Sequence, residues 1–188
     1  MTKADIRSLM KARRAQVDPA DQQAASAAIV SRLQALPAFQ NANETACFLS
    51  LSQEIDTGAI ITFCHANRRR VCVPVWNAAE KKYVFARLLP DSVLQAGRLG
   101  TREPMDWQEV ASHTIQLVLT PGLAFYRNGG RIGFGGGYYD RLLSACAPHC
   151  VKAGLCYAWQ VQNEPLPLTD HDIRMNLVIT EQETITCT

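Results

Sequence analysis

The segment IQLVLT, residues 115–120, is a nearly continuous apolar run rich in β-branched residues. Such a strand needs cover on both faces, the environment of a central strand in a parallel sheet with helices packed on each side. The rest of the chain agrees. Helical periodicity runs over residues 3–16. Asp18-Pro19 then gives a cap followed by proline at the first position of a second helix, expected to end near Ala35, ahead of Leu36-Pro37. Strand-like stretches follow at TACFLS (45–50), RVCVPV (70–75) and YVFARLL (83–89), with a helix over 57–69. Pro74 argues that RVCVPV is an edge strand or ends there. After IQLVLT come a helix over residues 139–147, a strand over VKAGLCY (151–157), a Pro-rich loop at 164–170 and a last strand at NLVIT (176–180). Strands alternating with helices predict one α/β domain, residues 1–188, around a mainly parallel sheet.

Composition narrows the class. A net charge of +2 is too small to imply a nucleic-acid partner. The seven cysteines contain no C-x-x-C pair, and several lie within apolar runs. They read as small buried hydrophobes in a reducing compartment rather than a disulfide framework or zinc site. The N-terminal MTKADIRSLMKARRAQ lacks the apolar core of a secretory signal, and no apolar run reaches ~18 residues. A cytoplasmic protein without a membrane partner is expected.

Against this ordinary background, GGRIGFGGGYYD (129–140) holds six of the eleven glycines. Glycine loses more backbone entropy on folding than any other residue, so the cluster destabilises unless something requires it. A mobile turn or a bulge between hairpin strands is the plain explanation. Yet the loop feeds into the helix starting YYDRLL, where unpaired N–H groups and the helix dipole favour an anion. Arg131 adds a charge-assisted donor. Neither G-x-x-x-x-G-K-[ST] nor G-x-G-x-x-G fits the residues, so this is a phosphate loop of another lineage. Asp140 would repel a phosphate unless a cation lay between them, and Mg²⁺ commonly takes one or two carboxylates plus phosphate oxygens. Asp170 and Asp172, in LTDHDIRMN, are candidates for the second carboxylate, with a solvated loop as the competing reading.

Two further stretches stand out. Lys3, Arg7, Lys11 and Arg14 form one stripe along the first helix, beside a face carrying Ile6, Leu9, Met10 and Val17. The stripe is either a solvated edge or a clamp on polyphosphate. FLSLSQEIDT (48–57) carries Glu54 and Asp56 at the C-terminal end of a strand, where ligands bind in open α/β sheets. Asp56 or Thr57 has an alternative use in capping the next helix, which leaves Glu54 for a ligand.

GGRIGFGGGYYDRLL resembles the signature of the 5-formyltetrahydrofolate cyclo-ligase family. KADIR, FLSLSQEIDT, VLTPGLAF and LTDHDIRMNLVIT are similar to other family segments, in the same order along the chain. The resemblance implies a three-layer αβα sandwich. It also implies ATP- and Mg²⁺-dependent conversion of 5-formyltetrahydrofolate to 5,10-methenyltetrahydrofolate, with release of ADP and phosphate. Carried over by motif, Lys3, Arg7, Arg131, Ile132, Gly133, Phe134, Gly135, Gly136, Gly137, Tyr138 and Tyr139 would bind ATP. Leu49, Glu54 and residues 134–138 would line the folate site, Asp140 and Asp172 would hold magnesium, and Arg131 and Tyr138 would be catalytic. The small molecules ATP and 5-formyltetrahydrofolate are then the partners, and a monomer is expected.

Two departures matter. Gly136 and Phe134 stand where some members carry a basic residue, so other cations, from the N-terminal helix, must neutralise the phosphoryl group. Asn176 stands where several members have Asp. A non-catalytic nucleotide or folate binder would have less need of Asp140, Asp172 and Glu54 together. A sugar-phosphate or CoA enzyme would leave the basic helix and Glu54 unexplained. Asp140→Ala is expected to abolish turnover and leave the fold intact. Trp107, Tyr83, Phe85 and Trp159 are candidate stacking partners for a pterin ring, each with a competing core role.

Overall fold

The demand made by residues 115–120 is met by the strand pairing. The computed structural model describes residues 1–188, the side chain of Leu99 excepted. The strands are β1 (Glu44–Ala46), β2 (Arg70–Asn77), β3 (Lys82–Leu88), β4 (Leu94–Ala96), β5 (Arg102–Pro104), β6 (Leu117–Thr120), β7 (Ala124–Phe125), β8 (Arg131–Ile132), β9 (Val151–Leu155), β10 (Leu177–Ile179) and β11 (Thr184–Thr186). The helices are α1 (Lys3–Arg14), α2 (Pro19–Gln34), α3 (Pro37–Gln40), α4 (Gly58–Ala66) and α5 (Tyr138–Ser144). A seven-stranded sheet runs β11-β10-β9-β6-β1-β2-β3, with β6 at its centre and buried at every position. The inner pairs are parallel, while β2–β3 and β10–β11 are antiparallel.

Alternation along the strands fills the two faces separately. Val71, Val73, Leu117 and Leu119 join Ile29, Leu33 and Ile60 of α2 and α4. Cys72 and Val118 join Phe125, Leu142 and Leu143 on the other side, under α5 and the β7–β8 ribbon. This is the expected three-layer arrangement, with one thin outer layer. Each fully buried large side chain contributes roughly 1.5–3 kcal/mol through apolar burial. The cysteines are all unpaired, and five of them are buried, as their apolar surroundings in the sequence predict. No helix among the described residues is long and apolar enough to cross a membrane.

Helix ends follow local chemistry. Thr2 and Asp5 form a reciprocal capping box on α1. Asp18 caps α2 ahead of Pro19, as the sequence predicts. α4 stops at Ala66 rather than 69, because Arg68 takes a left-handed φ of 55°. α5 likewise ends at Ser144, three residues short of expectation.

Other differences are informative. In TACFLS regular strand pairing ends at Ala46, and a last bond from the Cys47 N–H to the Cys72 carbonyl precedes the loop carrying Glu54. NLVIT is not the last strand, since β11 follows it and forms the edge. Leu9, expected on the apolar face of α1, is 51% exposed, while Ile6 and Met10 pack on Leu123, Ala124 and Ile132.

Pro74 fits neither half of its expectation alone. Its strand is internal up to Cys72, where β1 ends, and has an open side beyond that point. The N–H groups of residues 74 and 76 face this open side. Proline has none to offer, and the Trp76 N–H donates to the buried Glu103 carboxylate of β5 at 3.2 Å.

Candidate active site

Where β1 stops and β2–β3 runs on, a cavity of about 640 Å³ opens beside the C-terminal ends of the parallel strands. Every residue assigned by motif lines it. Lys3 and Arg7 come from α1, Leu49 and Glu54 from the loop after β1, Arg131 through Asp140 from the glycine stretch, and Asp172 from the segment before β10. Asp170 is exposed and lies outside it.

The glycine stretch is part hairpin and part cradle. Residues 126–130 turn between β7 and β8, which is half of the plain reading. Gly129 sits there at φ 84°, and a Cβ would overlap the Met175 carbonyl oxygen. From Gly133 to Asp140 the chain leaves the ribbon and enters α5. Among the described residues, no main-chain N–H in this run donates to another protein group. Such a row of unpaired donors suits phosphate or carboxylate oxygens. Gly135, at φ 112°, passes against the Arg7 guanidinium, whose Nε donates to the Gly133 carbonyl at 3.0 Å. Lys3, Arg7 and Lys11 of the helix stripe thus line the cavity, with Lys11 also exposed to solvent.

Arg131 is buried. Its guanidinium donates to Asp140 Oδ1 at 2.9 Å, and its Nε has no partner among the described residues. Asp140 Oδ1 also accepts the Ile173 N–H at 3.1 Å, which ties α5 to the residue after Asp172. Asp172 Oδ2 accepts from the Lys3 ammonium and from the Thr169 N–H and hydroxyl. Burial works to raise the Asp172 pKa, but Lys3 and Thr169 outweigh it and hold the carboxyl below its ordinary value. Each carboxylate thus keeps one oxygen without a partner among the described residues. Two oxygen donors of this kind lining one cavity fit Mg²⁺, whose remaining positions commonly go to phosphate and water. No group of three or more His, Cys, Asp or Glu residues gathers as a metal cage among the described residues.

Removing the Asp140 side chain would strand a buried guanidinium, which typically costs about 3–5 kcal/mol. The expectation that Asp140→Ala leaves the fold intact is therefore replaced. Asp140→Asn is the cleaner substitution.

Glu54 is 6% exposed, pairs with Arg14 at 3.0 Å and accepts the Leu51 N–H. Burial raises its pKa, against opposing pulls from Leu51 and Arg14. Asp56 instead accepts the Gly58 N–H locally at 2.9 Å, the helix-start role the sequence offers for it. Phe134, 39% exposed, lies under the Lys11 ammonium at 6.0 Å and the Arg14 guanidinium at 5.0 Å. The aromatic ring that stands in for a basic loop residue is thus a platform for two cations from the end of α1. Asn176 takes no part: its side-chain oxygen accepts the Lys152 N–H between strands.

The opposite wall was largely invisible in the sequence. Pro74 and Tyr83 from β2–β3 and Thr101 and Arg102 from the β4–β5 hairpin line it. Tyr83 meets Tyr138 edge to face at 4.9 Å, and its hydroxyl has no partner among the described residues. Of the four aromatic candidates, only Tyr83 reaches the cavity. Phe85 is core, Trp107 packs against the core, and Trp159 stacks on Tyr157 at 5.5 Å. Gly97 and Gly100, flanking the hairpin tip, are the only cue to Thr101 and Arg102.

Comparison with known proteins agrees with this geometry. The model of the 5-formyltetrahydrofolate cyclo-ligase family matches residues 1–181. Proteins named 5-formyltetrahydrofolate cyclo-ligase from Haemophilus influenzae and Escherichia coli K12 are each 31% identical. The first match covers 89% of this chain and 91% of the relative, the second 92% and 96%. The NMR structure of Aquifex aeolicus 5,10-methenyltetrahydrofolate synthetase superposes with a TM-score of 0.85 at 26% identity, covering 99% of this chain and 93% of that one. A Mycoplasma pneumoniae synthetase, at 18% identity and TM-score 0.77, shares the fold. Matched from its first residue almost to its last, the chain belongs to the 5-formyltetrahydrofolate cyclo-ligase family.

Proposed function

We propose that the protein converts 5-formyltetrahydrofolate to 5,10-methenyltetrahydrofolate with ATP and Mg²⁺, releasing ADP and phosphate. The observation that carries this reading is the run of unpaired N–H groups from Gly133 to Asp140, faced by α1 cations and by two carboxylates in one cavity. Family membership and the names of the relatives supply the substrate.

The formyl group on N5 is an amide and a poor electrophile. Transfer of the γ-phosphoryl group of ATP to its oxygen makes that oxygen a leaving group. N10 then attacks the formyl carbon, the C–O bond breaks with loss of phosphate, and the N10 proton departs as the ring closes. Phosphoryl transfer asks a protein mainly for in-line positioning and charge neutralisation. The Gly133–Asp140 amides cradle the polyphosphate, and Lys3 and Arg7 lie beside it. Buried Arg131 fixes Asp140 and so the start of α5. Asp140 and Asp172 would hold Mg²⁺, which would supply charge neutralisation for the transferring group. Tyr138 and Tyr83 present ring edges and faces to the pterin, and Leu49 and Glu54 close that end. No nucleophilic Ser or Cys is required.

The test is methenyltetrahydrofolate absorbance with purified protein, with and without ATP and Mg²⁺. Product that forms equally well without ATP, or no product under any condition, overturns the reading.

A further inference from the structure

A second cavity, of about 560 Å³, adjoins the first and shares Lys11, Leu51 and Arg102 with it. Its walls are the last turn of α1, the Ser50–Gln53 loop and the tip of the β4–β5 hairpin. Among the described residues, three cations line it and no carboxylate does. Arg14 is committed to Glu54. Lys11 and Arg102 form no ion pair among the described residues. Two uncommitted cations from separate elements, facing one groove that opens from the reaction cavity, form a site for a ligand with two negative charges. None of the motif-assigned functions uses it.

Resting on the proposed function, we infer that this groove holds the glutamate tail of the folate, with Lys11 and Arg102 facing its two carboxylates. Position separates this tail from the nucleotide. The phosphate-facing cations Lys3 and Arg7 lie toward the start of α1, and Lys11 is eight residues from Lys3, about 12 Å along the helix axis, and one turn beyond Arg7. A folate with its formyl group near the phosphates must send its other end away from them, and the shared residues mark where the cavity opens. The tail is a dianion at neutral pH, matching the two cations that lack partners. Charge-assisted contacts of this kind anchor a ligand by its end without touching the reacting atoms.

The experiment compares 5-formyltetrahydrofolate with its pteroyl counterpart, which lacks the glutamate, in the wild type and in the Lys11→Gln, Arg102→Gln double variant. Affinity is read by equilibrium dialysis and KM by product absorbance. The variant is expected to bind the complete folate about tenfold more weakly and the pteroyl compound equally well, with the KM for ATP unchanged. Rising ionic strength should erase most of the wild-type preference for the complete folate. Equal losses for both compounds, no loss for either, or a raised KM for ATP instead would overturn the tail site and leave the proposed function standing. A wild-type protein that neither binds nor converts the folate sinks the function itself, and this inference with it.

Discussion

The two walls of the reaction cavity are made of different material. On one side, main-chain amides from Gly133 to Asp140 face inward, backed by α1 cations. On the other, side chains project from the overhang of β2–β3 and from the β4–β5 hairpin. The first wall needs a particular backbone path and so leaves a trace in composition, since only glycine passes cheaply through its turns. The second needs only rings and polar groups of suitable shape on an ordinary pleat. A phosphate always presents the same oxygens, whereas a pterin asks for a shaped slot. The backbone wall should tolerate change poorly, and the side-chain wall gradually.

Four substitutions test that contrast, the most damaging first. Asp140→Asn keeps an acceptor for the Ile173 N–H and removes the charge. Turnover is expected to fall on the order of 10³-fold, and an undiminished rate refutes the metal role. Gly129→Ala forces a left-handed backbone against the Met175 carbonyl and should destabilise by about 3 kcal/mol in chemical denaturation. A loss below about 1 kcal/mol would mean that the base of the loop yields. Tyr83→Leu, on the other wall, should raise the KM for the folate about tenfold and leave that for ATP within about twofold. Equal rises for both substrates would erase the distinction between the walls.

The smallest effect concerns Glu54. Burial raises its native pKa above the ordinary 4.5, so between 4.5 and that raised value the folded protein holds a proton that the unfolded chain has released. Its contribution to stability therefore falls as pH rises through that window. In Glu54→Gln this decline should vanish from thermal midpoints taken from about pH 4 to about pH 7. A decline identical to that of the wild type would assign it to another group.

The contrast also explains what could be read from the sequence. The parallel core was legible because IQLVLT and RVCVPV carry their burial in their composition. The glycine cradle and the α1 stripe were legible because their chemistry repeats at fixed spacing. Hairpin β4–β5 was not, since Leu94–Ala96 is exposed at all three positions and each of its strands has only three residues. Strand β11 was hidden for a similar reason: Thr184–Thr186 buries only Ile185. Arg102 could be found only by folding the chain, because nothing local announces that it will face Lys11 across a groove. Tyr83 is the middle case, visible as an aromatic residue but not as a cavity residue, since strand alternation gives its neighbour Phe85 the same claim.

The pairing of Pro74 with the Glu103-bound Trp76 amide has a consequence for how the molecule behaves among its own copies. A sheet that ends one strand early normally displays a row of hydrogen-bond donors to which a stray peptide can add. Here one donor is missing by chemistry and the next is occupied by a carboxylate. The gap proposed for the pterin is thereby denied to a polypeptide, and the protein can keep its sheet open without inviting aggregation there.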